Sequence, residues 1–193
     1  MRWARRREKV KKTEYTYLSA FVNITRAMNS SLELQQVLHQ IVKSTCETTG
    51  SKGCTLMLLD EGGEKLEVES SYGLSDQYVR KGSVSADKSI FDTLKGKPVI
   101  IEDAASDPRV QYPLEAKQEG IASIVSLPII LRGIVIGVLR LYTAVPCRFA
   151  QDDIDFLSAI AMQSGLAIEN AKMYEHVKMD YKKLMSSSSA ITE

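Results

Sequence analysis

The sequence predicts a layered α+β domain. Its centre is a mostly antiparallel sheet of five to six strands, with N- and C-terminal helices on one face and a cover of loops and short helices on the other. Three observations carry this prediction. Two helical stretches precede the first strand-like run, and one long helical stretch follows the last. The strand-like runs are joined mainly by short turns, which antiparallel neighbours can use and parallel ones cannot. Residues 75–120 are irregular and punctuated by proline, enough chain to cover a second face.

The elements follow in order. Residues 15–28 place Leu18, Phe21, Val22, Thr25 and Met28 on one helical face. In "NSSLE", Ser30 is a good N-cap and Glu33 completes a capping box for a second helix. That helix carries Leu34, Val37, Leu38, Ile41 and Val42, and Gly50 is a natural stop. "GCTLMLLD" (53–60) is apolar on both faces, as a central strand should be. After the "EGGE" turn, "KLEVESSY" (65–72) alternates, with Leu66, Val68 and Ser70 on one side and Lys65, Glu67 and Glu69 on the other.

Short helices and loops follow from 75 to 96, including a helix in "SADKSIFDTLKGK" that ends at Gly96. "PVIIED" (98–103) is a short strand, with Pro98 acceptable at its start. Residues 104–120 form a polar connection. "IASIVSLPIIL" (121–131) and "IVIGVLRLY" (134–142) then make a hairpin that turns at Arg132–Gly133. The run 149–185 is one long helix. Ile154, Leu157, Ala161 and Ile168 form its core stripe, widened by Phe156 and Ile160. Ser158, Ala161, Ser164 and Gly165 admit a close neighbour, expected to be the first helix.

Composition bounds the function. At 193 residues, 44% hydrophobic and 25% charged, the chain suits one globular domain with helical extensions. Residues 1–12 hold seven Lys/Arg against one Glu, so with a total charge of +1 the remainder is net acidic by five. Only Trp3 is aromatic in that basic start, and no DNA-binding pattern accompanies it, so a solvated lead-in is expected and no nucleic-acid partner. No apolar h-region follows the charges, and no uncharged apolar run reaches the ~18 residues of a membrane span. A cytoplasmic location is expected. Cys46, Cys54 and Cys147 form no C-x-x-C pair and leave one thiol over, which argues against a disulfide framework.

Four blocks together resemble GAF domains: "SYGLS" (71–75), "DKSIFDTLKGKPVIIEDAASDPR" (87–109), "SIVSLPIILRGIVIGVLRLY" (123–142) and "FAQDDIDFLSAIAMQSGLAIENA" (149–171). The resemblance spans about residues 15–175 and implies a regulatory domain. Such domains bind a small molecule between sheet and cover, or merely dimerise, and their terminal helices pass a signal to an output domain. The expected division is a basic lead-in at 1–14, the GAF domain at 15–175, a signalling-helix extension at 176–185 and a disordered tail at 186–193. The flanks suggest a segment of a longer signalling protein, with an output domain of histidine kinase, cyclase or transcriptional activator type attached or acting in trans.

The resemblance also implies what to exclude. Cyclic-nucleotide members carry a spaced Asn-Lys…Phe…Asp-Glu signature. Phe149 and Asp153 fit its spacing, but Ile154 stands in place of the Glu and "YTA" (142–144) in place of the Asn-Lys. Covalent bilin needs a Cys in the cover, and residues 75–120 have none; haem needs an axial His there, and the two histidines are His39 and His176. No bilin, haem or metal is therefore expected. Free methionine-sulfoxide reductases of this class use cover cysteines, also missing from 75–120, so no catalytic residue is assigned and a non-enzymatic role is expected.

Two groups of residues carry the functional expectation. Arg140 stands in an otherwise apolar strand and needs an acidic neighbour, such as Asp103, Asp107 or Glu102, or an anionic ligand. A ligand pocket around it would take Ser70, Tyr72, Ser89, Ile90, Phe91, Asp107, Arg109, Tyr112, Ser126 and Tyr142. "SDPR" (106–109) is either a latch on that pocket or simply a turn. Past Glu169, the helix keeps an apolar stripe of Ala171, Tyr174, Val177, Tyr181 and Leu184 where no sheet remains to cover it. With Leu18, Phe21, Val22 and Met28 it predicts a parallel homodimer seam. The alternatives to a ligand sensor are a ligand-free dimerisation module and, less favoured, a redox enzyme.

Overall fold

The computed structural model describes residues 16–60, 62–63, 65–82, 84–85 and 91–189. Helix α1 (16–28) leads into α2 (Leu34–Thr49), then β1 (Gly53–Leu59) and β2 (Lys65–Tyr72). The cover follows as α3 (Asp76–Val79), β3 (Val84–Ser85) and α4 (Phe91–Leu94). Then come β4 (Val99–Ile101), α5 (Pro113–Glu119), β5 (Ser123–Leu131), β6 (Ile134–Thr143) and α6 (Gln151–Ser189). The six strands lie in the order β3-β2-β1-β6-β5-β4, antiparallel throughout. The predicted fold class is the observed one.

Strand alternation sorts the sheet into two faces. Cys54, Leu56 and Leu58 of β1, Val125, Leu127 and Ile129 of β5, and Leu139 and Leu141 of β6 meet the helices in the main core. There they pack on Ile24 and Met28 of α1, Val37, Leu38, Ile41 and Val42 of α2, and Ile154, Leu157, Ile160 and Ile168 of α6. Helices α1 and α6 are clamped near their starts, where the Tyr17 and Phe156 rings stack at 5.0 Å and the Tyr17 hydroxyl donates to Asp153. Asp153 also accepts from the Ala150 backbone N–H, and Phe149 packs on the core. Both residues are accounted for by the helix start.

The β5–β6 turn places Arg132 and Gly133 at φ 50° and 83°, the left-handed pair of a two-residue hairpin whose twist matches its strands. Arg132 is held there by an ion pair to Glu169 at 2.9 Å.

Five details differ from the sequence expectation. Helix α2 starts at Leu34 without the capping box: Glu33 is the N-cap but its side chain makes no capping bond, while Ser31 Oγ accepts from the Glu33 N–H and Ser30 donates to the Ala27 carbonyl. The connection 104–120 contains α5, started by Pro113, whose ring suits a first helical turn. Gly165 approaches β5 and not α1. A Cβ there would lie 3.0 Å from the Ile130 carbonyl oxygen. Helix α6 continues through Ser189, with Ser186 donating back to the Lys183 carbonyl, so residues 186–189 belong to it.

The fifth difference is a β-bulge in β2. Leu56 pairs with Ser70 but Met57 pairs with Val68, leaving Glu69 extra. The strand changes faces at that point. Leu66 and Val68 point to the cover, whereas Ser70 and Tyr72 are opposite Leu56 and Cys54 and point to the helices. The lead-in 1–14 and the last four residues lie outside the described residues.

Candidate functional site

The cover-facing side of the sheet is built in rows. One row runs Tyr142–Ile124–Ile101 across β6, β5 and β4. It belongs to an apolar cluster with Tyr78 of α3, Ala116 of α5, Ala104 and Ile121. Four residues from Tyr142 along β6, Val68–Met57–Val138 crosses β2, β1 and β6 in a second cluster with Leu66 and Leu94. Between these apolar rows lies a polar one: Ser71–Thr55–Arg140–Ser126, one residue from each of β2, β1, β6 and β5. Thr55, Arg140 and Ser126 are all buried, Arg140 to 5% exposure.

Hydrogen bonds tie this row together. Arg140 Nε donates to Ser126 Oγ at 2.9 Å, and Thr55 Oγ1 meets the Tyr142 hydroxyl at 3.1 Å. The Tyr78 ring stands edge-on to Tyr142, with centroids 5.7 Å apart. Burial pushes the phenol pKa of both tyrosines up, and the Arg140 charge pulls in the opposite direction.

Lys81, just past α3, reaches over this group. Its Nζ sits 3.6 Å from the Tyr78 ring centroid and 5.7 Å from that of Tyr112, and donates to the Tyr78 carbonyl at 2.9 Å. Desolvation, then the nearby Arg140 charge, lowers its pKa to about 8, against weaker opposing pulls from Glu115 and Glu119. The acids considered as partners for Arg140 are engaged elsewhere: Asp103 with Ala105 N–H and Ser106, Asp107 with Arg109, and Glu102 with Arg148.

The structure separates the residues expected to line a pocket. Arg140, Ser126 and Tyr142 are brought together on the cover face, and Tyr112 joins them through Lys81. Ser70 and Tyr72 face the helices because of the bulge, where Tyr72 donates to Glu47 of α2 and its ring packs edge-on to His39. Phe91 is about half exposed, with Lys95 3.9 Å from its ring centroid. Ser89 and Ile90 lie outside the described residues.

Asp107 and Arg109 form a closed turn: Arg109 makes paired bonds to the Asp107 carboxylate and donates to the Ile100 carbonyl on the outer edge of β4. They line a cleft of about 410 Å³ beside Glu102 and Asp103. Sequence reasoning missed Thr55, Ser71, Tyr78 and Lys81. Thr55 alone left a signal, as the one hydroxyl inside an apolar strand.

The seam residues also divide. Met28 and Ala171, each 1% exposed, are inside the core, and Phe21 packs against it. Leu18, Val22, Tyr174, Val177, Tyr181 and Leu184 are exposed, and Met162, Leu166 and Met173 extend the exposed stripe along α6. Beside this stripe, Lys178 bonds Glu33 at 2.7 Å, and the Leu34 N–H reaches Glu175 at 3.4 Å.

Among the described residues no three His, Cys, Asp or Glu side chains are grouped to hold a metal, and no helix is long and apolar enough to cross a membrane.

Comparison with known proteins agrees with this architecture. The chain is 29% identical over 118 residues to a probable 3',5'-cyclic phosphodiesterase of Caenorhabditis elegans, covering 56% of this chain and 16% of that protein. It is 22% identical over 174 residues to a Nif-specific regulatory protein of Herbaspirillum seropedicae, covering 86% of this chain and 31% of that one. The chain therefore spans less than a third of the length of either relative. The GAF domain of a phosphoenolpyruvate-protein phosphotransferase from Coxiella burnetii shares the fold, with a TM-score of 0.74 at 21% identity, over 84% of this chain and 98% of that one. The family model for the GAF domain matches residues 31–169, most of the chain, and the protein belongs to the GAF domain family.

Proposed function

We propose that this domain is a sensor. A small molecule occupies the polar row under the cover, and the terminal helices of a dimer carry the change to an output domain. The observation that supports it is the row itself. Burying hydroxyls and a guanidinium between two apolar rows costs stability that aliphatic side chains would not. A sheet built only to hold helices would continue its apolar packing there.

The transmission half rests on β6. Arg140 and Tyr142 face the row, while Leu139 and Leu141, interleaved with them, belong to the core that packs on α6. The exposed stripe from Met162 to Leu184, with Leu18 and Val22 of α1, is the surface on which a second copy would pack. Kinship with a probable 3',5'-cyclic phosphodiesterase and a Nif-specific regulatory protein supports an output domain that is attached or acts in trans.

The domain itself performs no chemistry in this reading. Burial raises the pKa of all three thiols and so disfavours the reactive thiolate.

Native mass spectrometry of the purified protein, followed by hydrogen exchange on α6 with and without the molecule found, tests the proposal. A retained small molecule whose removal speeds exchange in α6 supports it. A dimer that carries nothing, and whose α6 exchange responds to no candidate molecule, supports the ligand-free module instead.

A further inference from the structure

We infer that residues 74–81, which carry α3, form a hinged flap over the polar row, latched shut by Glu119 of α5. The inference rests on the sensor reading for its purpose, since a buried row that takes a ligand from solution needs a way in. Thr55 is 3% exposed and Tyr142 2%, and Tyr78 of the flap stands edge-on to Tyr142. The Tyr142 hydroxyl in turn meets Thr55, so a chain of contacts runs from the flap into the row.

Glu119 joins three segments of chain. Its carboxylate accepts from the Ser75 N–H at 3.1 Å and from the Ser75 hydroxyl, and it pairs with Lys52 Nζ at 3.6 Å. Two of the three segments are fixed to the end of β6. The Lys52 N–H bonds the Tyr142 carbonyl at 2.8 Å, and α5 is followed by Ala122, whose N–H bonds the Thr143 carbonyl at 2.7 Å. Ser75 is the piece that can leave. Its hydroxyl also accepts from the Tyr78 N–H, so the latched residue is the N-cap of α3. Burial raises the Glu119 pKa, but the bonds from Ser75 and Lys52 outweigh it and hold the carboxyl below its ordinary value. The latch is therefore a charged acceptor, the stronger kind.

The flap is otherwise held lightly. Among the described residues, its other hydrogen bonds stay within it: the Val79 N–H to Ser75, the Arg80 N–H to Asp76, and Lys81 to the Tyr78 carbonyl. Its apolar hold is Tyr78, 4% exposed, with Leu74 packed on the same cluster, and Lys81 adds the Tyr112 ring at 5.7 Å. Glycines with positive φ bound it, Gly73 at 76° and Gly82 at 128°. A side chain is excluded at both: a Cβ would lie 2.4 Å from the Lys52 carbonyl oxygen at Gly73 and 2.7 Å from the Tyr112 hydroxyl at Gly82. Glycine absorbs large backbone rotations, and a short segment with few bonds to the body opens without the rest.

Opening is read on the whole chain by thiol labelling of Thr55→Cys, and by hydrogen exchange with Thr55 kept, each with and without Glu119→Gln. Cys54, next in sequence but on the helix face of β1, is the internal control, resolved from position 55 by tandem mass spectrometry. Glu119→Gln is expected to speed labelling at position 55 and exchange in residues 75–81 roughly tenfold, as loss of a charged hydrogen bond implies. Cys54 and the amides of β5 should not change. Ser75→Ala should act on the same residues, and adding Glu119→Gln to it should have little further effect. Unchanged exchange in Glu119→Gln overturns the latch. Faster exchange in 75–81 with labelling unchanged overturns the flap as the way into the row. Acceleration of Cys54 and β5 along with position 55 overturns both, because the domain then opens as a whole. Should Thr55→Cys fail to fold, exchange with Thr55 kept decides alone. The sensor reading is judged separately, by the mass-spectrometric search for a retained ligand.

Discussion

Lys178 of α6 and Glu33 at the start of α2 form an ion pair at 2.7 Å across 145 positions of sequence. It is the last described bond from the body of the domain to the helix that projects from it. The Lys178 ammonium lowers the Glu33 pKa, as a charged partner must.

Both side chains are well exposed, so the pair acts locally. Glu33→Gln is expected to leave the unfolding midpoint unchanged and to speed amide exchange in residues 174–186. Hydrogen-exchange mass spectrometry reads both. A fall in the midpoint with no local change would contradict the assignment.

The clamp at the other end of the helices is the Tyr17–Asp153 bond. This bond, more than burial, raises the Tyr17 pKa from 10.0 to about 12. The folded form holds the phenolic proton longer than the unfolded one does. The associated stability is therefore complete below about pH 10 and is lost as pH rises toward 12. Tyr17→Phe keeps the stack on Phe156, should cost about 1 kcal/mol at neutral pH, and should blunt that alkaline decline in chemical denaturation.

The exposed stripe predicts a dimer that can be broken without unfolding the domain. Val177 and Leu184 are 65% and 70% exposed, so Val177→Glu with Leu184→Glu should change domain stability by less than about 0.5 kcal/mol while giving a monomer by light scattering. Ala171→Glu is the contrasting variant, because it buries a charge in the core and should prevent folding. A wild-type chain that is monomeric at high concentration would remove the seam altogether.

The thiols should report the same layering. Cys54 is fully buried and its pKa is raised well above the usual range, chiefly by desolvation; Cys46 is buried and raised for the same reason. At pH 8 a thiol reagent should modify Cys147 slowly in the folded protein. Cys46 and Cys54 should react only on unfolding, as counted by mass after timed quenching.

The fold was legible because its elements obey clear periods: five strands and both flanking helical layers follow the apolar pattern directly. The site was only half legible. Arg140 announces itself as a charge inside "IVIGVLRLY", and alternation places Ser126 and Tyr142 on its side. Alternation carries Ser70 and Tyr72 to the wrong face, because "ESSY" has no apolar residue to reveal the bulge until Tyr72 does so, by packing against the helices beside Glu47. Lys81 follows a single helical turn in irregular chain, where periodicity carries no information. The missing capping box has a similar cause: Ser30 spends its hydroxyl on the preceding turn.

Parity in β5 and β6 has a consequence for how such a domain can change. Even-numbered positions (Ile124, Ser126, Val138, Arg140, Tyr142) belong to the cover side, and odd-numbered ones (Val125, Leu127, Leu139, Leu141) to the helix core. Substitutions can therefore accumulate on one set while the other is left intact. A lineage, or an engineer, can rewrite what the domain detects and inherit unaltered the packing by which it reports.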